Sequence, residues 1–351
     1  MTPKREARST SHFAHWSLAA IVLTSTVTIG IRALCESTLA TNERPTKRRL
    51  LFSTGHGELV PTNGFENIAA NLEERFESVA VDFSSENISA EADVVVVGGP
   101  ERPFDEKALR GLDRAIRRAR GAVILAPSAR YVAPAEAEAD RQLGQLQANF
   151  NGLEALLAAY GFRIAREVVM DPENAVPGIV ENRQGRQFLY RLPQVIGIFQ
   201  DASARELGPG IAWVFASPVA LVGPLAGSPP PTASTLWRIA FSSAGSWLQP
   251  IPAILPKEPS DEARPPSGRA RGAQVLGYVY EGPLGSPFAE KSSPARGRNT
   301  TPSPTAKAVR LVVIGSSLFV RDDWVRLSRI FPIYKGGLQR LVDLIMWIAG
   351  A

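Results

Sequence analysis

Residues 50–58, Leu-Leu-Phe-Ser-Thr-Gly-His-Gly-Glu, decide the fold of this chain. A short apolar strand, 50–53, runs directly into a polar turn in which Gly55 and Gly57 allow the backbone to change direction sharply. A helix is predicted to follow, because apolar residues recur at three- and four-residue steps at Phe65, Ile68, Ala69, Leu72 and Phe76. A strand, a tight turn and an amphipathic helix make the first unit of an α/β protein.

The same rhythm continues to Ala126. Further strands are predicted at 79–83, 92–97 and 122–126, and a helix opens at Asp105. The run 92–97 is continuously apolar, which is typical of a strand that is buried on both faces of a parallel sheet. We therefore predict an α/β domain over residues 49–128, built on a doubly wound parallel sheet with right-handed crossovers.

The remainder of the chain is less regular. Residues 127–148 are charged and alanine-rich and are predicted as a connector, and 149–255 are predicted as a mixed α/β continuation. Residues 256–307 combine Pro, Ser, Gly and Arg with few large apolar residues, which predicts mobile loops around a short strand at 275–281. A closing strand and an apolar helix are predicted within 308–351.

The N-terminus carries the clearest topological signal. Residues 1–12 are basic, and 13–34 contain an uncharged stretch from Phe13 to Ile31. This pattern predicts a membrane anchor or an uncleaved signal, with a buried helix of a soluble domain as the alternative. We expect a single-pass protein of the bacterial inner membrane whose bulk is periplasmic or otherwise extracytoplasmic, although basic residues on both sides leave the orientation open.

Composition excludes several classes of function. The formal net charge is only +5 over 351 residues, and no basic helix or aromatic RNA-binding pattern accompanies it, so no nucleic-acid partner is expected. Cys35 is the single cysteine, which excludes an internal disulfide and a cysteine zinc site. Of the three histidines, His12 and His15 lie at the extreme N-terminus and His56 in the body. We expect no bound metal and no cofactor.

The turn after the first strand is the best candidate site. The carboxyl ends of parallel strands gather binding groups, and a second glycine turn follows the strand that ends at Val97. His56 and Glu58 could act as an acid/base pair, but a loop that only shapes the backbone explains the glycines equally well. The candidate binding residues are Thr54, Gly55, His56, Gly57, Glu58, Gly98 and Gly99.

Other chemical motifs are missing from the sequence. Neither a Gly-x-Gly-x-x-Gly nor a Walker pattern occurs, so ATP and NAD binding are not expected. Ser128 is the only candidate nucleophile in the turn 126–130, and it lacks flanking glycines and a second histidine for a triad. Ser316 and Ser317 follow a strand, where a serine more often caps a helix or turn. No catalytic residue is assigned.

Several short stretches form a pattern through their order along the chain. They are 50–58, 97–100, 104–106, 153–161, 169–172, 215–218, 241–247, 277–283, 286–288 and 310–319, followed by the last helix with Asp343, Trp347 and Gly350. In this order they resemble the GldG-like auxiliary family of ABC transport systems. The resemblance covers roughly Arg49 to Ala351, and each motif alone is weakly specific.

The resemblance implies a non-ATPase partner of an ABC permease and its ATPase. It also implies an extracytoplasmic domain similar to flavodoxin-like, class I amidotransferase-like folds, with membrane helices on either side. This chain departs from the pattern because it stops at Ala351, where a second membrane helix would be expected. Our hypothesis is that the protein is a binding or assembly module that contacts the permease; the sequence does not identify the transported cargo. The alternative is a hydrolase or amidotransferase-like enzyme that uses the loop at His56 and Glu58.

Overall fold

The computed structural model of the protein describes residues 47–85, 91–138, 142–181, 187–198, 210–226, 234–256, 267–288 and 307–351. The predicted membrane anchor at 13–34 and most of the loops predicted within 256–307 lie outside these ranges. Among the described residues, no helix combines the length and apolar character needed to cross a membrane.

A seven-stranded sheet forms the centre of the fold. Its strands are β1 (Arg48–Thr54), β2 (Phe76–Asp82), β3 (Val94–Gly98), β4 (Gly121–Leu125), β13 (Thr235–Phe241), β16 (Val275–Gly282) and β17 (Val309–Ile314). They lie in the order β13-β16-β17-β4-β3-β1-β2. Neighbouring pairs among β2, β1, β3, β4 and β17 are parallel, whereas β16 and β13 are antiparallel to their neighbours. The fold is therefore mixed α/β with a mainly parallel sheet.

Helices cover both faces of this sheet, which explains why its inner strands are continuously apolar. In β3, Val94 and Val96 pack into the core on one face, and Val95 and Val97 pack into the core on the other. The described helices are α1 (Glu66–Leu72), α2 (Glu106–Arg118), α3 (Glu154–Ala159), α4 (Asp322–Arg326) and α5 (Ile333–Ala349). Helices α1 and α5 contribute to the core that contains Val94 and Val96, and α2 and α3 contribute to the core that contains Val95 and Val97.

Four small antiparallel sheets lie outside the central one. Their strands are β5 (Ala129–Val132), β6 (Gln142–Ala148), β7 (Phe162–Ile164), β8 (Glu167–Met170), β9 (Ala175–Glu181), β10 (Gln187–Ile198), β11 (Ile211–Val214), β12 (Val219–Leu221), β14 (Trp247–Pro250) and β15 (Ala253–Pro256). The strand orders are β15-β6-β5, β11-β10-β9, β12-β7 and β14-β8. The sheets other than β12-β7 contribute to a third apolar cluster, which includes Leu146, Val195, Val214 and, from α5, Tyr334. The β12-β7 sheet packs instead on the core that contains α2 and α3.

The connector predicted over 127–148 is wrong, because this segment contains β5 and β6. These strands pair with each other from Ala129↔Ala148 to Val132↔Gln145. The sequence pattern did not indicate these strands, because their apolar residues are few and Leu146 is the only apolar side chain of β6 that is buried. Within the predicted mixed α/β continuation, residues 162–170 contain two strands, β7 and β8, which pair with different partners.

The predicted short strand at 275–281 is β16, a member of the central sheet between β13 and β17. The closing helix predicted within 308–351 is α5, which spans Ile333–Ala349. Gly336 and Gly337 near its start pack against the backbone of Gly210 and Phe319, so tertiary contacts hold a turn that helix propensity alone disfavours.

Candidate functional site

The predicted loop at 54–58 closes on itself through Glu58. One oxygen of its buried carboxylate accepts a hydrogen bond from the Ser53 hydroxyl at 2.6 Å, and the other accepts one from the His56 backbone N–H at 2.6 Å. A carboxylate that accepts several local donors stabilises a turn in the way an N-cap residue stabilises a helix. Glu58 is therefore engaged in holding the loop.

His56 is packed rather than presented to solvent. Its ring stacks on Phe104 at a centroid distance of 4.0 Å and an interplanar angle of 16°, and the residue is 8% exposed. Its backbone carbonyl accepts from the N–H groups of Glu101 and Arg102, each at 2.9 Å. The Nδ1 atom lies 3.6 Å from a Glu58 oxygen, beyond hydrogen-bond range, and has no hydrogen-bond partner among the described residues.

The two glycines after β3 permit close contact between segments of the chain. A Cβ at Gly98 would lie 2.4 Å from the carbonyl oxygen of Leu59, whose N–H donates to the Gly98 carbonyl at 2.8 Å. Gly99 has φ +69°, and a Cβ there would lie 2.4 Å from the side chain of Ser317. Backbone packing therefore accounts for both glycines, and their role as ligand-binding residues stays a prediction.

The serines considered as nucleophiles are engaged in buried hydrogen bonds. The hydroxyl oxygens of Ser128 and Ser217 lie 2.6 Å apart, and the Ser316 hydroxyl donates to the Val214 carbonyl at 2.6 Å. A serine nucleophile needs an adjacent base, and His56 is held against Phe104. Within the described part of the chain, no group of three or more His, Cys, Asp or Glu side chains could hold a metal.

A cavity of about 460 Å³ opens beside the predicted loop, at the carboxyl ends of the parallel strands. Gly99 and Ser317, which follow β3 and β17, line it together with residues of β5, β6, β10 and β15. Its volume is typical of small-molecule sites, which are concave, mostly apolar and fitted with a few placed polar groups. The sequence prediction missed this cavity.

Aromatic side chains form one wall of the cavity. The rings of Tyr131 and Phe215 are nearly parallel, at 7° with centroids 5.8 Å apart, and Trp324 meets Phe215 edge-on at 6.4 Å. Phe215 has φ +47°, a conformation that costs a non-glycine residue roughly 1–3 kcal/mol. Its N–H donates to the Gln194 carbonyl at 3.0 Å, which holds the backbone in place.

Two buried amide side chains line the cavity. Asn149 donates from Nδ2 to the carbonyls of Pro100 and Pro127 at 2.8 and 3.0 Å, and this pair of bonds fixes which end of the amide carries the oxygen. Its Oδ1 is buried without a hydrogen-bond donor among the described residues. Gln194, 5% exposed, also lines the cavity.

The charges on the cavity lining balance. Arg321 and Asp323 form an ion pair at 3.3 Å, and Arg130 donates to the side chain of Gln147 at 2.8 Å. Glu101 is the remaining charged residue of the lining, which makes two cationic and two anionic side chains. Tyr131 donates to the Leu143 carbonyl at 2.5 Å, and burial raises the pKa of its phenol.

Asp322 links the cavity wall to the helix after the predicted loop. Its buried carboxylate accepts from the backbone N–H of Glu66 at 2.8 Å and from the backbone and side chain of Asn67 at 3.1 and 2.6 Å. It therefore caps α1 from a position 256 residues away. Its sequence neighbours Arg321, Asp323 and Trp324 are held in the cavity wall.

Comparisons with known proteins give one family and no curated relative. A family model described as "ABC-type uncharacterized transport system" matches residues 47–339, and no curated protein matches the sequence. The mmIFT52 N-terminal domain is similar at 11% identity and a TM-score of 0.44, with 86% of this chain and 98% of that domain covered. The exo-beta-1,4-mannosidase Op5Man5 from Opitutaceae bacterium strain TAV5 is similar at 11% identity and a TM-score of 0.32, with 89% of this chain and 39% of that chain covered. At these scores neither structure supports an argument.

Proposed function

Because this chain belongs to the family of auxiliary components of ABC-type transport systems, we propose that it acts by binding its transporter and not by catalysis. Its partners in this proposal are the permease and, through it, the ATPase, as in the GldG-like subfamily. The observation that carries the proposal is the use of Glu58. Both of its oxygens accept hydrogen bonds from its own loop, so the acid/base pair of the enzyme alternative is occupied in the folded protein.

The hydrolase alternative needs an accessible base next to a nucleophile. His56 is 8% exposed and stacked on Phe104, and the Ser128 and Ser217 hydroxyls are hydrogen-bonded to each other. Neither arrangement offers a proton acceptor to an incoming substrate. The geometry therefore favours a binding role over the enzyme.

Co-purification tests the proposal directly. The tagged full chain, extracted from cells that also express the permease and ATPase, should retain both, whereas an unrelated membrane protein of similar abundance should be lost. The proposal fails if neither subunit is retained and the purified chain hydrolyses an ester or amide substrate. A catalytic His56 would then show itself as a drop of about 10²–10⁴-fold in rate on His56→Ala.

We further propose that the chain is anchored in the inner membrane with residues from Arg49 onward on the outer side. The uncharged stretch from Phe13 to Ile31 supports the anchor, and the extracytoplasmic domain that the family resemblance implies supports the orientation. An alkaline phosphatase fused after Ala351 should be active in cells. An inactive phosphatase together with an active cytoplasmic reporter at the same point would show that the proposed orientation is wrong. The proposal that the protein binds its transporter would not be affected by that result.

A further inference from the structure

We infer that the cavity at the carboxyl edge of the central sheet binds an uncharged, mostly apolar small molecule. The inference concerns the folded chain alone and does not depend on the transporter. Two observations carry it: an aromatic wall held in a strained conformation, and a balanced set of charges.

The aromatic wall gives the ligand its apolar character. Phe215 keeps φ +47°, and at this position its ring lies parallel to Tyr131 and edge-on to Trp324. Strain of this kind is concentrated at functional sites, where the surrounding structure maintains it. Aliphatic side chains complete the lining, namely Leu143, Leu192, Val195, Leu255, Leu318 and Leu327.

The charges argue for an uncharged ligand. Two cationic and two anionic side chains line the cavity, and Arg321 is paired with Asp323 at 3.3 Å. A charged ligand would have to lose its hydration without a matching excess of opposite charge, which is unfavourable in an apolar site. An uncharged molecule avoids this cost.

Photo-crosslinking with a probe series tests the chemistry on the full chain. 4-(Hydroxymethyl)benzophenone is uncharged and mostly apolar. Labelling should saturate and should map by mass spectrometry to peptides that line the cavity, such as those with Leu143, Leu192 or Leu255. The methoxymethyl analogue is also uncharged and should reach half-saturation at a similar concentration. The anionic 4-benzoylbenzoate should be weaker by at least about tenfold.

Two tryptophan variants in one segment supply the matched control. Leu327→Trp places extra volume in the cavity and should raise the half-saturating concentration at least about tenfold, whereas Ile330→Trp, at an exposed position outside the lining, should leave it unchanged. Labelling that spreads along the chain without saturation, or that is equal in the two variants, overturns the inference.

The probe series on the unsubstituted chain keeps the test decisive if Leu327→Trp does not fold. Equal labelling by the anionic probe and the two uncharged probes would then overturn the inference. Retention of the permease by a folded Leu327→Trp chain that no longer binds the probe would separate this inference from the proposed function.

Discussion

The loop at 54–58 and the cavity beside it lie at the same edge of the same sheet, yet they differ in what their polar groups do. In the loop, Ser53, His56 and Glu58 are neighbours in sequence and bond to one another. In the cavity lining, Asn149 lies among residues from 99 to 327, and its Oδ1 has no donor within the part of the chain that the structure describes. Polar residues that are close in sequence can satisfy each other locally, so a conspicuous motif can serve the fold alone.

This comparison makes Glu58 the most sensitive position. Glu58→Ala should lower the free energy of unfolding by about 2–5 kcal/mol, because the Ser53 hydroxyl and the His56 N–H would lose their acceptors in a buried site. Urea unfolding measures it. Glu73→Ala, at an exposed position just after α1, is the control and should change stability little. A stable Glu58→Ala chain would mean that the loop is not held by this carboxylate.

The close packing after β3 should give the next largest effect. Gly98→Ala should cost about 1–3 kcal/mol, because the added Cβ would lie 2.4 Å from the Leu59 carbonyl and the backbone must shift. Gly272→Ala is the matched control, since the nearest atom to its Cβ is 3.9 Å away. Equal thermal midpoints for the two variants would show that the loop yields without cost.

Asp322 connects the cavity wall with α1, and its removal should have a smaller effect on stability than the two changes above. Asp322→Ala removes the cap on α1 and should cost about 0.5–2 kcal/mol. Since the adjoining residues form the cavity wall, the same change should also speed amide hydrogen exchange around both α1 and Trp324. Faster exchange at α1 with no change around Trp324 would show that the two regions are independent.

The smallest effect concerns pH and the phenol of Tyr131. Burial raises its pKa in the folded chain above the ordinary value, so the folded state favours the neutral phenol, and this contribution is fully present below about pH 10 and is lost as the pH rises further. The Tyr131→Phe chain should therefore lose less stability than the parent between about pH 9 and 11. The free energy of unfolding in urea, measured across that pH range, checks this. If it falls with pH equally steeply in the parent and the Tyr131→Phe chain, the pKa of Tyr131 is not raised by burial.

Much of the central sheet could be predicted, because its signals are local. The apolar run that became β3 reflects burial on both faces of a strand, and the spacing of Ile68 and Leu72 in α1 reflects burial on one face of a helix. Strands β5 and β6 could not be predicted, because their own apolar content is low and β15, the second partner of β6, is distant in sequence.

The candidate site also has one part that local sequence signals indicate and another part that they do not. The sequence marked the turn at 54–58 because glycine and polar residues after a strand are a local signal, and the motif 215–218 was noted only as part of a family pattern. No spacing connects Tyr131, Phe215 and Trp324, whose rings meet only in the folded chain.

By itself, the sequence determined the α/β class, the loop after the first strand and the motif order of an ABC transport auxiliary family. Only the tertiary structure decided that Glu58 is used inside its own loop, that Asp322 caps a helix 256 residues away, and that a cavity lies beside them. The physical reason is that secondary structure follows short-range periodicity, whereas a cavity and the satisfaction of buried polar groups depend on which distant segments the packing brings together.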